Sequence, residues 1–177
     1  MQDAVPAQEI LDFFREGFEH TAWRLETRRD YAADQGTEEY REFLRGVAPP
    51  HDTTSPWFVN AREQTARGKR IERVRLIDEP PSDNQQYLLA TTPDNLAAGE
   101  DIRFMTRPDA NQLGLPEYDF WLFDSRTMAV FNWDDPARRM ELTSDPGMVL
   151  RACQARDAAW HHAARYEEFK TRVRFPM

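Results

Sequence analysis

Two spacings of apolar side chains alternate along this chain, one of period two and one of about three and a half. Ala22 to Thr27 carries Trp23, Leu25 and Thr27 on one side and Arg24 and Glu26 on the other, which predicts a strand. Arg70 to Ile77 repeats the device: Val74 and Leu76 share one face, and Ile71 and Ile77 share the other with Arg73 and Arg75. A third strand is predicted over 101–106, with Ile102, Phe104 and Thr106 aligned. Two denser apolar runs follow, 120–123 and 128–133, separated by Asp124-Ser125-Arg126. Short β-prone runs around a polar turn predict a hairpin, and their unbroken apolar character predicts strands covered on both faces.

Helical spacing fills the intervals. Ile10, Phe14 and Phe18 recur every fourth residue and predict a helix over 7–18. Thr37 caps a helix over 38–45 that Gly46 closes, and Ser55-Pro56 opens another that ends at Gly68. Ser82 with Gln85 is a capping box, but Pro93 predicts a kink or two short helices before Gly99. One turn is expected around Asn111 and an edge strand over 138–143. Ser144-Asp145-Pro146 opens the longest helix, to about Tyr166, whose stripe is Val149, Ala152, Cys153, Arg156, Ala159, Trp160 and Ala163. The segment 47–54 holds two prolines and a histidine and reads as a linker between an N-terminal portion (1–50) and a main unit (55–177) of a single domain.

Strands alternating with helices predict an α/β (or α+β) fold: a mixed, mostly parallel sheet flanked by helices, with the hairpin and long helix towards the C-terminus. By element order alone, this topology resembles one half of a phospholipase-D-like domain. A half-unit with a free sheet edge could pair with itself as a homodimer.

Composition narrows the partners. A net charge of −8 opposes general binding to nucleic acid or to an anionic membrane. With 40% hydrophobic and 12% aromatic residues the chain can build a core, so disorder is excluded. Cys153 is the single cysteine, which excludes an internal disulfide and suits the cytoplasm. No signal peptide or membrane span is expected.

Catalytic motifs are absent. Phosphodiesterase chemistry of the phospholipase-D type needs a histidine two residues before a lysine, and none of His20, His51, His161 and His162 has that spacing. There is no Walker loop, GxGxxG, GxSxG or HExxH. Adjacent His161 and His162 diverge on a helix, so no metal or other cofactor is expected. Cys153 lies on the apolar stripe as a small hydrophobe, and Glu100-Asp101 reads as a solvated turn.

The remaining candidates are polar groups at strand ends, where ligands bind in open α/β sheets. Arg107, Asp109, Asp124 and Arg126 would converge there if their strands run the same way, although Asp124-Ser125-Arg126 is also ordinary turn chemistry. Arg24 and Arg28 form a second candidate set: an anion or acidic-partner site, or an ionic layer paired with the Arg73-Arg75 face.

Four blocks, HTAWRLETRRDY (20–31), AGEDIRFMTR (98–107), LGLPEYDFWLFDSR (113–126) and SDP…RDAAWHHA (144–163), together resemble an uncharacterised actinobacterial domain-of-unknown-function family. The resemblance covers nearly the whole chain. Members are often encoded beside XRE-type helix-turn-helix regulators, which implies a cytoplasmic single-domain protein in a regulatory setting and supplies no catalytic residues. One departure shows: where members read SDYxRYE or similar, this chain has Ser82-Asp83-Asn84-Gln85-Gln86-Tyr87. The resulting expectation is a non-enzymatic regulatory or protein-interaction module partnering a helix-turn-helix regulator, marked by a large exposed apolar patch. The alternative is an enzyme or sensor that binds a nucleotide or phosphorylated small molecule at the strand ends.

Overall fold

A computed structural model gives the conformation of residues 3–173. The strands are β1 (Asp3–Val5), β2 (Thr21–Glu26), β3 (Arg70–Ile77), β4 (Asp101–Thr106), β5 (Phe120–Phe123), β6 (Thr127–Phe131), β7 (Met140–Thr143) and β8 (Ala164–Arg165). The helices are α1 (Ile10–Glu16), α2 (Ala32–Gln35), α3 (Glu38–Leu44), α4 (Pro56–Ala66), α5 (Asp83–Ala97), α6 (Arg107–Gln112), α7 (Pro146–His162) and α8 (Tyr166–Arg172).

All eight strands join one sheet in the order β1-β7-β6-β5-β2-β3-β4-β8. The α/β class and the mixed sheet stand, but the mostly parallel sheet does not. Only β2–β3 and β3–β4 are parallel, and the other five ladders are antiparallel. Short links force this: a three-residue turn joins β5 to β6, and 132–139 joins β6 to β7, too little chain for a parallel crossover. The strand expected at the edge, β7, is covered by β1, with Ala4 opposite Glu141. The presumed boundary at 47–54 separates no sheet, because β2, from the N-terminal portion, lies between β3 and β5.

Alternation along the strands sorts the side chains into two layers. Trp23, Leu25, Val74, Leu76, Phe120, Leu122 and Met128 point to one face, where Val149, Ala152, Ala155 and Ala159 of α7 cover them. On the other face Phe14 and Phe18 and Ala61 of α4 cover Ile71, Trp121 and Phe123. Leu89 of α5 and Phe169 of α8 cover Ile77, Ile102 and Phe104. Between these two patches of the second face the sheet carries charge instead of hydrocarbon.

The helix starts follow the caps. Thr37, Ser55, Ser82 and Asp145 each accept an amide of the first turn, and both halves of the Ser82–Gln85 box form. Pro93 breaks nothing: α5 is one helix of 15 residues. It is tied down at both ends, by the capping box and by Asn95, whose side chain donates to Glu100 at 2.8 Å, so tertiary anchoring outweighs the lost bond.

Candidate functional site

The charged middle of the second face is built by the period-two pattern of β2 and β3. In their parallel register Arg24 lies opposite Arg73 and Glu26 opposite Arg75, so guanidiniums and a carboxylate crowd one patch. Glu26 accepts from Arg73 Nη1 at 2.8 Å and Arg75 Nε at 2.6 Å, and Arg24 Nη1 is 3.4 Å away. Burial would push the Glu26 carboxyl up, but Arg75, Arg24 and Arg73 outweigh it and hold the group far below the carboxylate range. Arg73 Nε also donates to Glu100 at 2.7 Å, and Arg75 Nη1 donates to Thr92 Oγ1 at 3.0 Å.

Glu100 is buried, not in a solvated turn: it also accepts from the Trp57 indole at 2.6 Å. Asp119 is the third acid of the array. It takes the Thr27 amide at 2.7 Å, the Thr27 hydroxyl at 2.9 Å, the Tyr31 hydroxyl at 2.7 Å and Arg24 Nη2 at 3.0 Å. Three arginines thus face three carboxylates. Burial, reinforced by Glu26, holds the Tyr31 phenol well above its ordinary value, so it stays a donor.

Above this floor opens a pocket of about 790 Å³. Trp57, Trp121, Phe131 and Trp133 wall it, and the Arg24 guanidinium lies 5.5–5.9 Å from the ring centres of Phe131, Trp121, Trp133 and Tyr31. Arg24 Nε and the Trp121 indole N–H are buried donors without a partner. The opposite rim is acidic, formed by Asp34, Glu39, Asp52 and Asp94. Burial raises the Asp34 carboxyl although Asn84 Nδ2 donates to it at 3.1 Å. The segment 49–52 is pinned over the rim: His51 Nδ1 sits 2.8 Å from Asp94 Oδ1, and the Asp52 amide donates to Oδ2 at 2.9 Å. Asn84 is fully buried and accepts the Tyr31 amide at 2.7 Å behind this rim.

The sequence-predicted residues do not form one group. Arg24 is in the pocket, and Arg28 lies 5.5 Å from the Trp133 ring at its edge. Arg107 is engaged outside the pocket, donating to Asp78 at 2.5 Å and to the Thr27 carbonyl at 2.7 Å. Asp109 sits in the first turn of α6, where Thr106 caps the helix by accepting the Asp109 amide and donates its hydroxyl to the Asp109 carboxylate at 2.8 Å. Asp124 lies at the far end of the sheet, accepting the amides of Glu19, His20 and Thr21 at 2.8 Å each, and exposed Arg126 follows in the same turn. Their convergence assumed parallel strands. Because β5 runs against β2, its C-terminal end meets the N-terminal end of β2, and the residue entering β5, Asp119, reaches Arg24 in the floor array instead.

Asp119, Tyr31 and the tryptophans are what the sequence reading missed. The available signal was an acid directly ahead of the FWLF run, a costly place for a carboxylate unless arginines meet it. His161 and His162 are both exposed with ring centres 4.9 Å apart, and Cys153 is half-buried beside the α7 core. Among the described residues no three His, Cys, Asp or Glu stand where they could hold a metal ion, and no helix is long and apolar enough to cross a membrane.

Residues 8–171 match the model of the domain of unknown function DUF6879. The chain belongs to that family. The uncharacterised family expected from the four sequence blocks is therefore the right one. No curated protein matches the chain. Among solved structures it is similar to NucT from Helicobacter pylori, at a TM-score of 0.50 and 11% identity over 93% of this chain and 97% of that one. At that identity the shared fold is what the likeness establishes. The half-domain analogy, drawn from element order alone, gives way to this match, which spans nearly all of NucT. The reading as a non-enzymatic interaction module is overturned with it: this DUF6879 member shares the fold of NucT along nearly its whole length. Its described large exposed apolar side chains, Leu44, Val47, Tyr118 and Leu150, are spread over four elements or loops, while its aromatics wall a pocket.

Proposed function

We propose that the pocket binds a nucleotide-class ligand, an unsaturated base carrying no more than one phosphate. The observation that carries this is the enclosure of Arg24 by Tyr31, Trp121, Phe131 and Trp133 in a concavity of about 790 Å³, within the size range of ligand sites. Base–aromatic stacking contributes roughly 1–3 kcal/mol per base and tolerates any base, because each has a π-face. Arg28, exposed beside Trp133, is placed to meet a phosphate at the mouth.

The rim sets the charge limit. The floor arginines are matched by Glu26, Glu100 and Asp119, so they offer little net attraction. Each rim acid facing a phosphate charge at about 8 Å costs on the order of 2 kcal/mol at an effective dielectric of about 20. A triphosphate is therefore disfavoured. We also infer a cytoplasmic site of action, where such ligands abound and a lone thiol stays reduced.

Titration of adenosine, adenosine monophosphate and adenosine triphosphate, followed by tryptophan emission, tests this. The monophosphate and the nucleoside are expected to saturate, with the triphosphate roughly tenfold weaker or worse. Trp133→Leu, which removes a wall ring but no carboxylate or guanidinium of the array, is expected to weaken binding roughly tenfold, the loss of one stacking contact. No saturation by any of the three up to about 5 mM would sink the proposal.

A further inference from the structure

A second concavity lies on the opposite face of the sheet, at the end where β2 and β3 begin. Its volume is about 630 Å³, and it shares no lining residue with the first. In a chain of net charge −8 it gathers Arg70, Arg103 and Arg156 against the carboxylates of Glu72 and Asp157. We propose that this pocket is an oxyanion site that takes a phosphate group.

Four elements supply the donors. From β4, the Arg103 guanidinium lies 3.7 Å from the centre of the Trp160 ring and donates through Nη1 to the Trp160 carbonyl at 3.0 Å. Stack and carbonyl fix its plane, while its Nε–H is buried with no acceptor. From β2, the Trp23 indole N–H is likewise buried without an acceptor, in a residue 1% exposed. From α7, Arg156 donates to Asp157 at 2.9 Å and, through Nη1, to Ser125 Oγ at 2.6 Å. The tight hairpin turn presents that hydroxyl: Asp124 and Ser125 are both left-handed, at φ +50° and +55°, as a type I′ connection requires.

Donors from several directions suit a tetrahedral oxyanion. A planar carboxylate would be satisfied by a single guanidinium fork. Glu72 is compatible with this, because its carboxylate is already met by Arg70, whose Nε lies 3.7 Å away.

Calorimetric titration of the full chain with inorganic phosphate and with ribose 5-phosphate, in chloride buffer near neutral pH, tests the site. Saturable binding of one equivalent is expected, and Arg156→Gln is expected to weaken it roughly tenfold or more, the loss of a charge-assisted hydrogen bond. Adenosine binding in the first pocket should be unchanged in that variant, which separates the two sites. Tighter binding of ribose 5-phosphate would identify a phosphorylated small molecule as the source, and equal binding would identify free phosphate. Should Arg156→Gln fail to fold, Arg70→Gln, at an arginine 69% exposed, carries the same test. Phosphate heats that never saturate, or wild-type affinity in the folded variant, would overturn the assignment.

Discussion

Glu26 has three guanidiniums within 3.4 Å and is almost wholly buried. Removing one partner of a buried ionic cluster costs more than the cluster is worth, because the remaining charges stay behind in low dielectric. Glu26→Gln is therefore expected to lower the unfolding free energy by about 3 kcal/mol, measured by urea denaturation near neutral pH. The pH dependence follows from the same group. Its folded-state pKa is depressed, so its stabilisation is complete above the ordinary carboxylate pKa and is lost as pH falls through the depressed value. The acid limb of the stability curve should be shallower in the variant; an unchanged limb would mean that Glu26 does not govern it. The arginine and glutamate positions were legible at this scale, since Arg24, Glu26, Arg73 and Arg75 alternate with apolar residues. Asp119 was not, because its partners come from β2 and from Tyr31, and only strand direction brings them together.

Strand direction is a property of elements. Runs such as FWLF carry no polarity, so the pattern that located β5 and β6 said nothing about which way either faced β2. What fixes the antiparallel arrangement is on one side the short turn, and on the other Asp124. Its carboxylate accepts three successive amides just ahead of and entering β2 and so clamps the hairpin to the sheet centre. Burial would raise this carboxyl, but the amides of Glu19, Thr21 and His20 outweigh it and hold the group down, so its contribution too is lost as pH falls. Asp124→Ala is expected to cost about 2 kcal/mol, with hydrogen exchange accelerated at Glu19, His20 and Thr21 before the rest of β2. Unchanged protection of those amides would show that the clamp is dispensable. Pro93 teaches the reverse lesson: its local signal was clear, and contacts from β3 and the 99–100 turn overrode it.

At the scale of the whole molecule the sheet ends in short strands, three residues in β1 and two in β8. Edges this short present few free amides and discourage edge-to-edge pairing. Strand pairing is thus a disfavoured route to the homodimer expected of a half-unit with an open edge, and light scattering is expected to show no concentration-dependent increase in mass that follows from it. An increase abolished by a proline in β1 would contradict that. Class, layer count and helix caps were readable beforehand because they depend on local spacing; the pockets were not, because each is assembled from elements far apart in sequence.

The two pockets are opposite faces of the same two strands. Arg24, Glu26, Arg73 and Arg75 open one way, and Thr21, Trp23, Arg70 and Glu72 open the other. A point substitution alters one chamber at a time. Deleting a single codon within β2 would instead turn every later side chain of that strand through to the other side, driving charge into the hydrocarbon under α7 and indole into the salt lattice. The reading frame of this strand is thus guarded by two chambers at once, and its length should prove far less negotiable than the identity of any one residue along it.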